Sequence, residues 1–204
     1  MELNNTFYQH PTESRIAAWL DATPESFRFV VKAQKGGSFR AFRADPVETL
    51  AWLTRPYRLF GERLGSVLFR VPDGVPRDDG RLKVLLEAWP RELPLTVELQ
   101  DASWLDDEVI GLLRDAGAVL CATDVDELPD PVRVFRTGPF LYLRLRRTAG
   151  YREGELEAWA ERLLPFLEDG LDAFVFFRHD ETGESAIAAE RLWQLVEERR
   201  ASVG

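Results

Sequence analysis

The chain has 204 residues, of which 45% are hydrophobic, and it carries a formal net charge of −9 at pH 7. This composition is sufficient for a sizeable core, but no apolar run approaches the roughly 18 residues that a membrane span needs. The negative charge disfavours a general nucleic-acid binder and a protein that binds anionic membranes. A single cysteine excludes an internal disulfide framework and fits a reducing compartment, so we expect a cytoplasmic protein.

Short apolar runs alternate with capped, amphipathic segments along the whole chain. The apolar runs predict seven strands, at residues 1–7, 27–31, 66–71, 95–99, 118–122, 140–145 and 173–177. The capped segments predict helices at residues 12–20, 45–60, 78–89, 103–116, 153–167 and 184–200. Residues 35–38 and 146–151 are predicted to be loops, and residues 126–138 a connection without a helix.

The clearest unit of this pattern is residues 95–124, in which a helix lies between two apolar strands. We expect Ser103 to cap the helix, with Asp106 and Asp107 in its first turn. Gly117 is expected to end it in the left-handed conformation. A strand, a helix and a second strand at this length predict a right-handed parallel crossover.

Strict alternation of strands and helices is typical of either a doubly wound sheet or a β/α barrel. No glycine-rich phosphate-binding turn follows any of the predicted strands, which weakens the nucleotide-binding alternative, and we predict no cofactor. We therefore favour the barrel. No linker or change in composition divides the chain, so residues 1–204 are interpreted as one domain.

Four segments of the chain resemble the strands of one known family, the DUF72 or YecE-like proteins. The segments that carry the resemblance are ELNNTFY at residues 2–8, FRFVVKA at residues 27–33, VLFRVP at residues 67–72 and VELQDASW at residues 97–104. The resemblance spans the chain in order and implies a TIM-type barrel. It implies no reaction, because the family has no agreed activity.

The chain departs from the family pattern in several places. Gln100 and Asp101 stand where the family usually has an arginine and a histidine. Arg147 lies at a position where members of the family often have a His-Gly pair. Arg178 and His179 lie where the family often has asparagines. The family's first strand and helix have no counterpart here. We therefore expect seven strands, an open barrel edge, and self-association through that edge.

Polar side chains gather at the predicted ends of the strands, where β/α barrels carry their functional sites. Our candidate site consists of Asn4, Thr6, Lys32, Arg70, Glu98, Gln100, Trp104, Asp124, Arg144, His179 and Asp180. We predict that Glu98 and Asp124 are catalytic as an acid–base pair, and that the other nine residues bind the ligand.

Two of these roles have structural alternatives. Glu98 could instead form a structural ion pair with Lys32 or Arg144 inside the barrel. Trp104 is expected to lie at the start of a helix beside the mouth of the barrel. It could stack on a ligand there, or it could pack between helix and barrel. The other five tryptophans lie at helical spacings that indicate packing between helices and sheet.

Two basic stretches, at residues 28–43 and 132–152, contain no acidic residue. Either both stretches face one anionic ligand, or they reflect solubility alone. A metal held by Glu98, Asp124, His179, Asp180 and His10 is a weaker hypothesis, because the two histidines lack an HxH or HExxH spacing, and we predict no metal.

Three functions remain as hypotheses. The first is a barrel enzyme (a hydrolase, lyase or isomerase) that acts on a small anionic or polyhydroxylated substrate, with Lys32 and Arg144 binding the anion. The second is a divergent, non-catalytic protein that binds such a ligand. A metal-dependent phosphodiester hydrolase is the third, and both the net charge and the histidine spacing disfavour it.

Overall fold

A computed structural model describes residues 1–44, 46–126 and 132–203, without the side chains of residues 202 and 203. The chain forms two compact units, Met1–Leu120 and Cys121–Gly204, and each is described in turn. Within the described ranges, no helix combines the length and apolar character that crossing a bilayer requires.

In residues 1–44 and 46–120, the first unit contains four complete strands, the start of a fifth, and five helices. The strands are β1 (Glu2–Leu3), β2 (Phe29–Lys32), β3 (Leu64–Arg70), β4 (Leu95–Glu98) and β5 (Val119–Asp124), of which Val119 and Leu120 lie in this unit. The helices are α1 (Glu13–Asp21), α2 (Lys35–Arg43), α3 (Pro46–Thr54), α4 (Asp79–Ala88) and α5 (Asp107–Ala116). Shorter 3₁₀ segments occupy Asn5–Phe7, Arg55–Arg63 and Ala102–Trp104.

Consecutive strands of the first unit pair in parallel, in the order of the chain. One face of these strands is apolar and packs against helices; the ring of Phe69, for example, lies 6.0 Å from that of Trp89. The opposite face carries polar side chains, including a 2.7 Å hydrogen bond between the hydroxyls of Ser66 and Thr96. This alternation is what a two-residue side-chain period requires.

Within its described residues, the second unit contains the rest of β5, two further strands and two helices. These are β6 (Phe140–Leu145), β7 (Asp172–Phe177), α6 (Glu153–Glu168) and α7 (Glu184–Val203). Strands β5 and β6, and strands β6 and β7, pair in parallel. Leu141, Leu143 and Leu145 of β6 belong to a buried cluster with side chains of α6 and α7.

The N-terminal strand is much shorter than the predicted residues 1–7. Strand β1 ends at Leu3, and the chain turns through a 3₁₀ segment at Asn5–Phe7. The hydroxyl of Thr6 lies 2.6 Å from the carbonyl oxygen of Leu3 and 2.7 Å from that of Lys32. The buried Thr6 side chain therefore links this turn to the end of β2 through hydrogen bonds.

The predicted loop at residues 35–38 is wrong, because these residues form the first turn of α2. The side-chain oxygen of Gln34 accepts a 2.6 Å hydrogen bond from the Gly37 amide and so caps the helix. The predicted Ser103 cap is also wrong: Asp106 caps α5 by accepting from the Glu108 amide. Gly117 ends α5 with a φ of 68°, as expected.

Other boundaries agree with the sequence or fall outside the described ranges. Strand β6 coincides with the predicted residues 140–145. Pro46 is the first residue of α3, whereas Asp45, expected to open that helix, lies outside the described residues. So do residues 127–131 of the predicted connection.

A glycine at position 37 is required by close packing between α2 and α3. A Cβ atom there would lie 2.8 Å from Leu53 Cδ1 and 3.0 Å from Trp52 Cζ3. Because Leu53 is fully buried, its side chain has no free space into which to move. We expect Gly37→Ala to destabilise the fold by about 1–3 kcal/mol, measured by urea unfolding.

Gly36→Ala is the matched control for this prediction. The nearest atom to a Cβ at position 36 is the Gln34 side-chain oxygen that caps α2, at 3.3 Å, which is farther than the two contacts at position 37. Alanine is also favoured over glycine within a helix by up to about 1 kcal/mol. Equal stability of the two alanine variants would show that the contact between α2 and α3 does not require glycine.

Candidate functional site

The second unit has a cavity of about 470 Å³ where β6 and β7 end. The loop at residues 146–151, the residues after β7 and the start of α7 form its walls. Arg147, Tyr151, Arg178, His179 and Asp180 are among the lining side chains. Its position matches the strand-end location expected for a functional site.

A buried carboxylate, Asp124, organises one wall of this cavity. Asp124 is only 1% exposed, and its Oδ1 accepts a 2.9 Å hydrogen bond from Arg147 Nε. Its Oδ2 accepts a 2.9 Å hydrogen bond from the Tyr151 hydroxyl. Arg147 also donates to Glu155 at 2.9 Å. Both oxygens of the buried carboxylate thus have donors, as burial of a charge requires.

The same network keeps Tyr151 protonated. Burial of the phenol raises the pKa of Tyr151 well above its ordinary value, and the negative charge of Asp124 raises it further. Tyr151 is therefore a hydrogen-bond donor to Asp124 throughout the physiological pH range.

Asp124 and Arg144, which were expected to share one pocket, point to opposite faces of the sheet. In the pairing of β5 with β6, Thr123 is opposite Arg144 and Asp124 is opposite Leu145. Paired residues share a face, and successive residues of a strand alternate. The side chain of Asp124 therefore lies on the same face of the sheet as Leu145. The buried side chain of Arg144 lies on the opposite face.

Two polar side chains that follow β7, Arg178 and His179, are exposed at this cavity. Arg178 is exposed and donates a 2.7 Å hydrogen bond to the neutral Thr148 hydroxyl. Among the described residues it forms no salt bridge. His179 is exposed beside it. These two side chains leave a positive charge and a ring nitrogen at the cavity wall.

Asp180 lines the cavity but is also part of the start of α7. Its two oxygens accept 2.6 Å hydrogen bonds from the amides of Gly183 and Ser185. Hydrogen bonds from Ser185, and then from Gly183, lower the pKa of Asp180 to about 2. The carboxylate thus stabilises the turn that leads into the helix.

Three predicted site residues of the first unit come together at the ends of β3 and β4. The strand register places Arg70 opposite Glu98 on one face. Arg70 Nε lies 3.7 Å from an oxygen of the buried Glu98, and the guanidinium also hydrogen-bonds to Gln100 and Asp73. Glu98 is thus adjacent to a cation, Arg70, within its own unit.

The other predicted residues of the first unit have different environments. Lys32 is buried, with its Nζ 4.4 Å from the centroid of the Phe7 ring. Asn4 is exposed at the start of the 3₁₀ turn. Trp104 is 1% exposed and donates to the Val75 carbonyl at 2.9 Å. Its ring packs in the core instead of offering a face on which a ligand could stack.

Sequence reasoning did not single out Arg147, Tyr151 and Arg178 as site residues. The acid-free stretch at residues 132–152 contains Arg147, which is the one signal that could have found it. Nothing in the sequence marks Tyr151, because its role depends on its contact with Asp124 in the folded chain.

The metal hypothesis finds no geometric support. In the ranges 1–44, 46–126 and 132–203, no three His, Cys, Asp or Glu side chains are grouped so that they could hold a metal ion. The contacts of Asp124 and Asp180 described above also occupy oxygens that a metal would need.

Comparison with known families decides the relationship of the chain. The model of the family described as "Protein of unknown function DUF72" matches residues 1–203. The chain belongs to the DUF72 family. A curated relative of this DUF72 chain is the UPF0759 protein YunF of Bacillus subtilis (strain 168), which is 22% identical over an alignment 242 residues long that covers 97% of this chain and 83% of YunF.

Solved structures of DUF72 proteins share the fold. A DUF72 protein of Thermotoga maritima MSB8 superposes with a TM-score of 0.81 at 27% identity, covering 96% of this chain and 84% of the other. One from Enterococcus faecalis V583 gives a TM-score of 0.82 at 20% identity, with the same two coverages. Together with the parallel strands of each unit, these similarities confirm the expected fold class, an α/β, TIM-type barrel.

The hydrogen bond from Tyr151 to Asp124 should contribute measurably to the stability of this DUF72 protein. Tyr151→Phe leaves one oxygen of a buried carboxylate without its donor, so we expect a loss of about 1–3 kcal/mol in the free energy of unfolding. Tyr8→Phe is the control, because Tyr8 is 80% exposed and should change stability by less than about 0.5 kcal/mol. Urea unfolding of the two variants measures the difference, and similar losses in both would contradict the assignment.

Asp180 should stabilise the fold in a pH-dependent way. Its pKa is about 2 in the folded chain against an ordinary value of 3.8. A depressed pKa contributes stability that is present above the unfolded value and lost as the pH falls through the folded value. Asp180→Ala should therefore lower Tm at pH 7, and the gap to the native chain should shrink below about pH 4.

Glu181→Ala serves as the control for this series, because Glu181 is an exposed acid next to Asp180. Thermal unfolding of the three proteins between pH 3 and 7 separates the two positions. A gap for Asp180→Ala that does not change with pH would refute the electrostatic explanation.

Proposed function

We propose that this DUF72 protein binds a small anionic, polyhydroxylated ligand in the cavity at the ends of β6 and β7. The observation that supports this proposal is the environment of Arg178. Its guanidinium donates to a neutral hydroxyl and forms no salt bridge within the described residues, and the negative charge of Asp126 acts on it only at longer range. An arginine of this kind at a cavity wall is suited to a carboxylate or phosphate group.

The remaining wall supplies groups that suit hydroxyls. His179 and Thr148 line the cavity with polar atoms, and Arg147 adds a second guanidinium. Arg147 is neutralised by Asp124 and Glu155, so it contributes hydrogen-bond donors more than net charge. The acids Asp180 and Glu184 also line the cavity. They would disfavour a highly charged ligand and favour one with a single anionic group.

Binding is a better match to this geometry than acid–base chemistry by Asp124. Both of its oxygens already accept short hydrogen bonds, from Arg147 and from Tyr151. We therefore assign Asp124 a positioning role, in which it holds these two side chains against the cavity. The enzymatic alternative depends on Glu98 next to Arg70, and no contact described above favours a particular reaction there.

Two further expectations stay predictions. Self-association through an open strand edge is one, and light scattering of the isolated chain would measure it. The cytoplasmic location is the other, and it rests on the cysteine content and the composition.

Arg178 should determine the binding of anions. We expect glucose 6-phosphate to raise the Tm of the native chain at constant ionic strength, whereas glucose and sodium chloride do not. A ligand at ten times its dissociation constant adds about 1.4 kcal/mol to the stability of the folded state. Arg178→Gln should abolish most of this shift.

The control variant is Arg133→Gln, which makes the same change of charge in the same unit. Arg133 is exposed, packs over the ring of Phe135, and does not line the cavity. It should respond to glucose 6-phosphate as the native chain does. No shift in the native chain, or equal shifts in both arginine variants, would overturn the proposal.

A further inference from the structure

The first unit has a second cavity of about 470 Å³, between the start of α2 and the helix α3. Its walls include Gln34, Arg40, Thr49 and Trp52. None of these residues lines the strand-end cavity of the second unit.

Thr49 is an unsatisfied polar group in the wall of this cavity. The residue is 5% exposed, and its hydroxyl has no hydrogen-bond partner among the described residues. A buried hydroxyl without a partner is unfavourable, and native proteins contain few of them. Because Thr49 lines the cavity, a bound molecule could supply the acceptor that this hydroxyl lacks.

The cavity also favours a negative group. Arg40 is exposed and forms no salt bridge within the described ranges. The first turn of α2 lies at the same place, and the amino end of a helix carries partial positive charge. Glu48 also lines the cavity and would repel a polyanion. These charges together are suited to a ligand with one negative charge.

Trp52 offers a flat apolar surface beside these groups. The side chain is 52% exposed although it lies on a helix. The ring of His10 stacks on it at 4.5 Å with an angle of 14° between the planes, and His10 is itself held by a 2.9 Å contact with the Leu53 carbonyl. The indole is therefore held in a defined position, and the part that His10 leaves uncovered can stack on an aromatic ring.

We infer that this cavity binds a small aromatic monocarboxylate. The carboxylate accepts hydrogen bonds from the Arg40 guanidinium and the Thr49 hydroxyl, near the start of α2. The aromatic ring of the ligand packs against Trp52. The carboxylate of the ligand pairs with an arginine that has no salt bridge and with a hydroxyl that has no acceptor. The ring of the ligand covers an exposed indole.

Calorimetric titration with benzoate tests the inference, with benzyl alcohol as the uncharged analogue and cyclohexanecarboxylate as the non-aromatic one. The native chain should bind benzoate and should bind both analogues more weakly. Loss of one hydrogen bond of about 1 kcal/mol corresponds to about fivefold in affinity, so Arg40→Gln and Thr49→Val should each weaken binding by about that factor or more.

Thr49→Val has a second readout that separates a binding role from a structural one. Removing a hydroxyl that has no partner should leave the Tm of the free protein unchanged or raise it, while benzoate binding weakens. Arg43→Gln is the matched control: Arg43 lies on the same helix, its guanidinium packs over Phe39, and it does not line this cavity. Its affinity for benzoate should equal that of the native chain.

The outcomes distinguish this site from the one in the second unit. Arg178→Gln should leave benzoate binding unchanged, and Arg40→Gln should leave the response to glucose 6-phosphate unchanged. Absence of benzoate binding by the native chain would overturn the inference. So would equal binding of benzoate and benzyl alcohol, or native affinity in Arg40→Gln and Thr49→Val.

Discussion

Successive residues of a strand must point to opposite faces of a sheet, and this constraint decides which polar groups of the chain can meet. In the second unit it separates Arg144 from Asp124, although the two residues come from adjacent ends of paired strands. Asp124 lies on the same side as Leu145, and there it meets Arg147 and Tyr151. A shift of one residue in that register would exchange the two faces and remove the wall of the cavity.

Burial adds a second requirement, since a charge removed from water must be matched by donors or by an opposite charge. In the second unit, Asp124 is matched by one guanidinium and one phenol. In the first unit, the register places Arg70 beside the buried Glu98. Of the two carboxylates predicted to be catalytic, Asp124 thus has hydrogen-bond donors on both oxygens, and Glu98 lies 3.7 Å from one cation.

Periodicity and local chemistry were sufficient to predict the alternation of strands and helices, the strand at residues 140–145 and the helix end at Gly117. The Gly-Gly pair of residues 36 and 37 was interpreted as a loop, because local propensity cannot show that α2 approaches Leu53 too closely for a side chain. The apolar run of β5 does not alternate, so its sequence could not show which face Asp124 would take. Helical spacing likewise predicted packing for Trp52, whose ring is half exposed.

The chain contains 35 acidic and 26 basic residues, so carboxylates are available to pair with nearly every arginine. Arg77 and Arg191 each bind two or more acids, and Arg147 binds Asp124 and Glu155. Because most arginines could be paired in this way, an arginine at a cavity wall without a salt bridge indicates a position suited to an external anion. Arg178 donates to a threonine hydroxyl, and Arg40, in the last turn of α2, lines the same cavity as an unsatisfied hydroxyl. In a protein with excess negative charge, such positions are where an external anion gains most, because it meets a guanidinium that forms no salt bridge within the described residues.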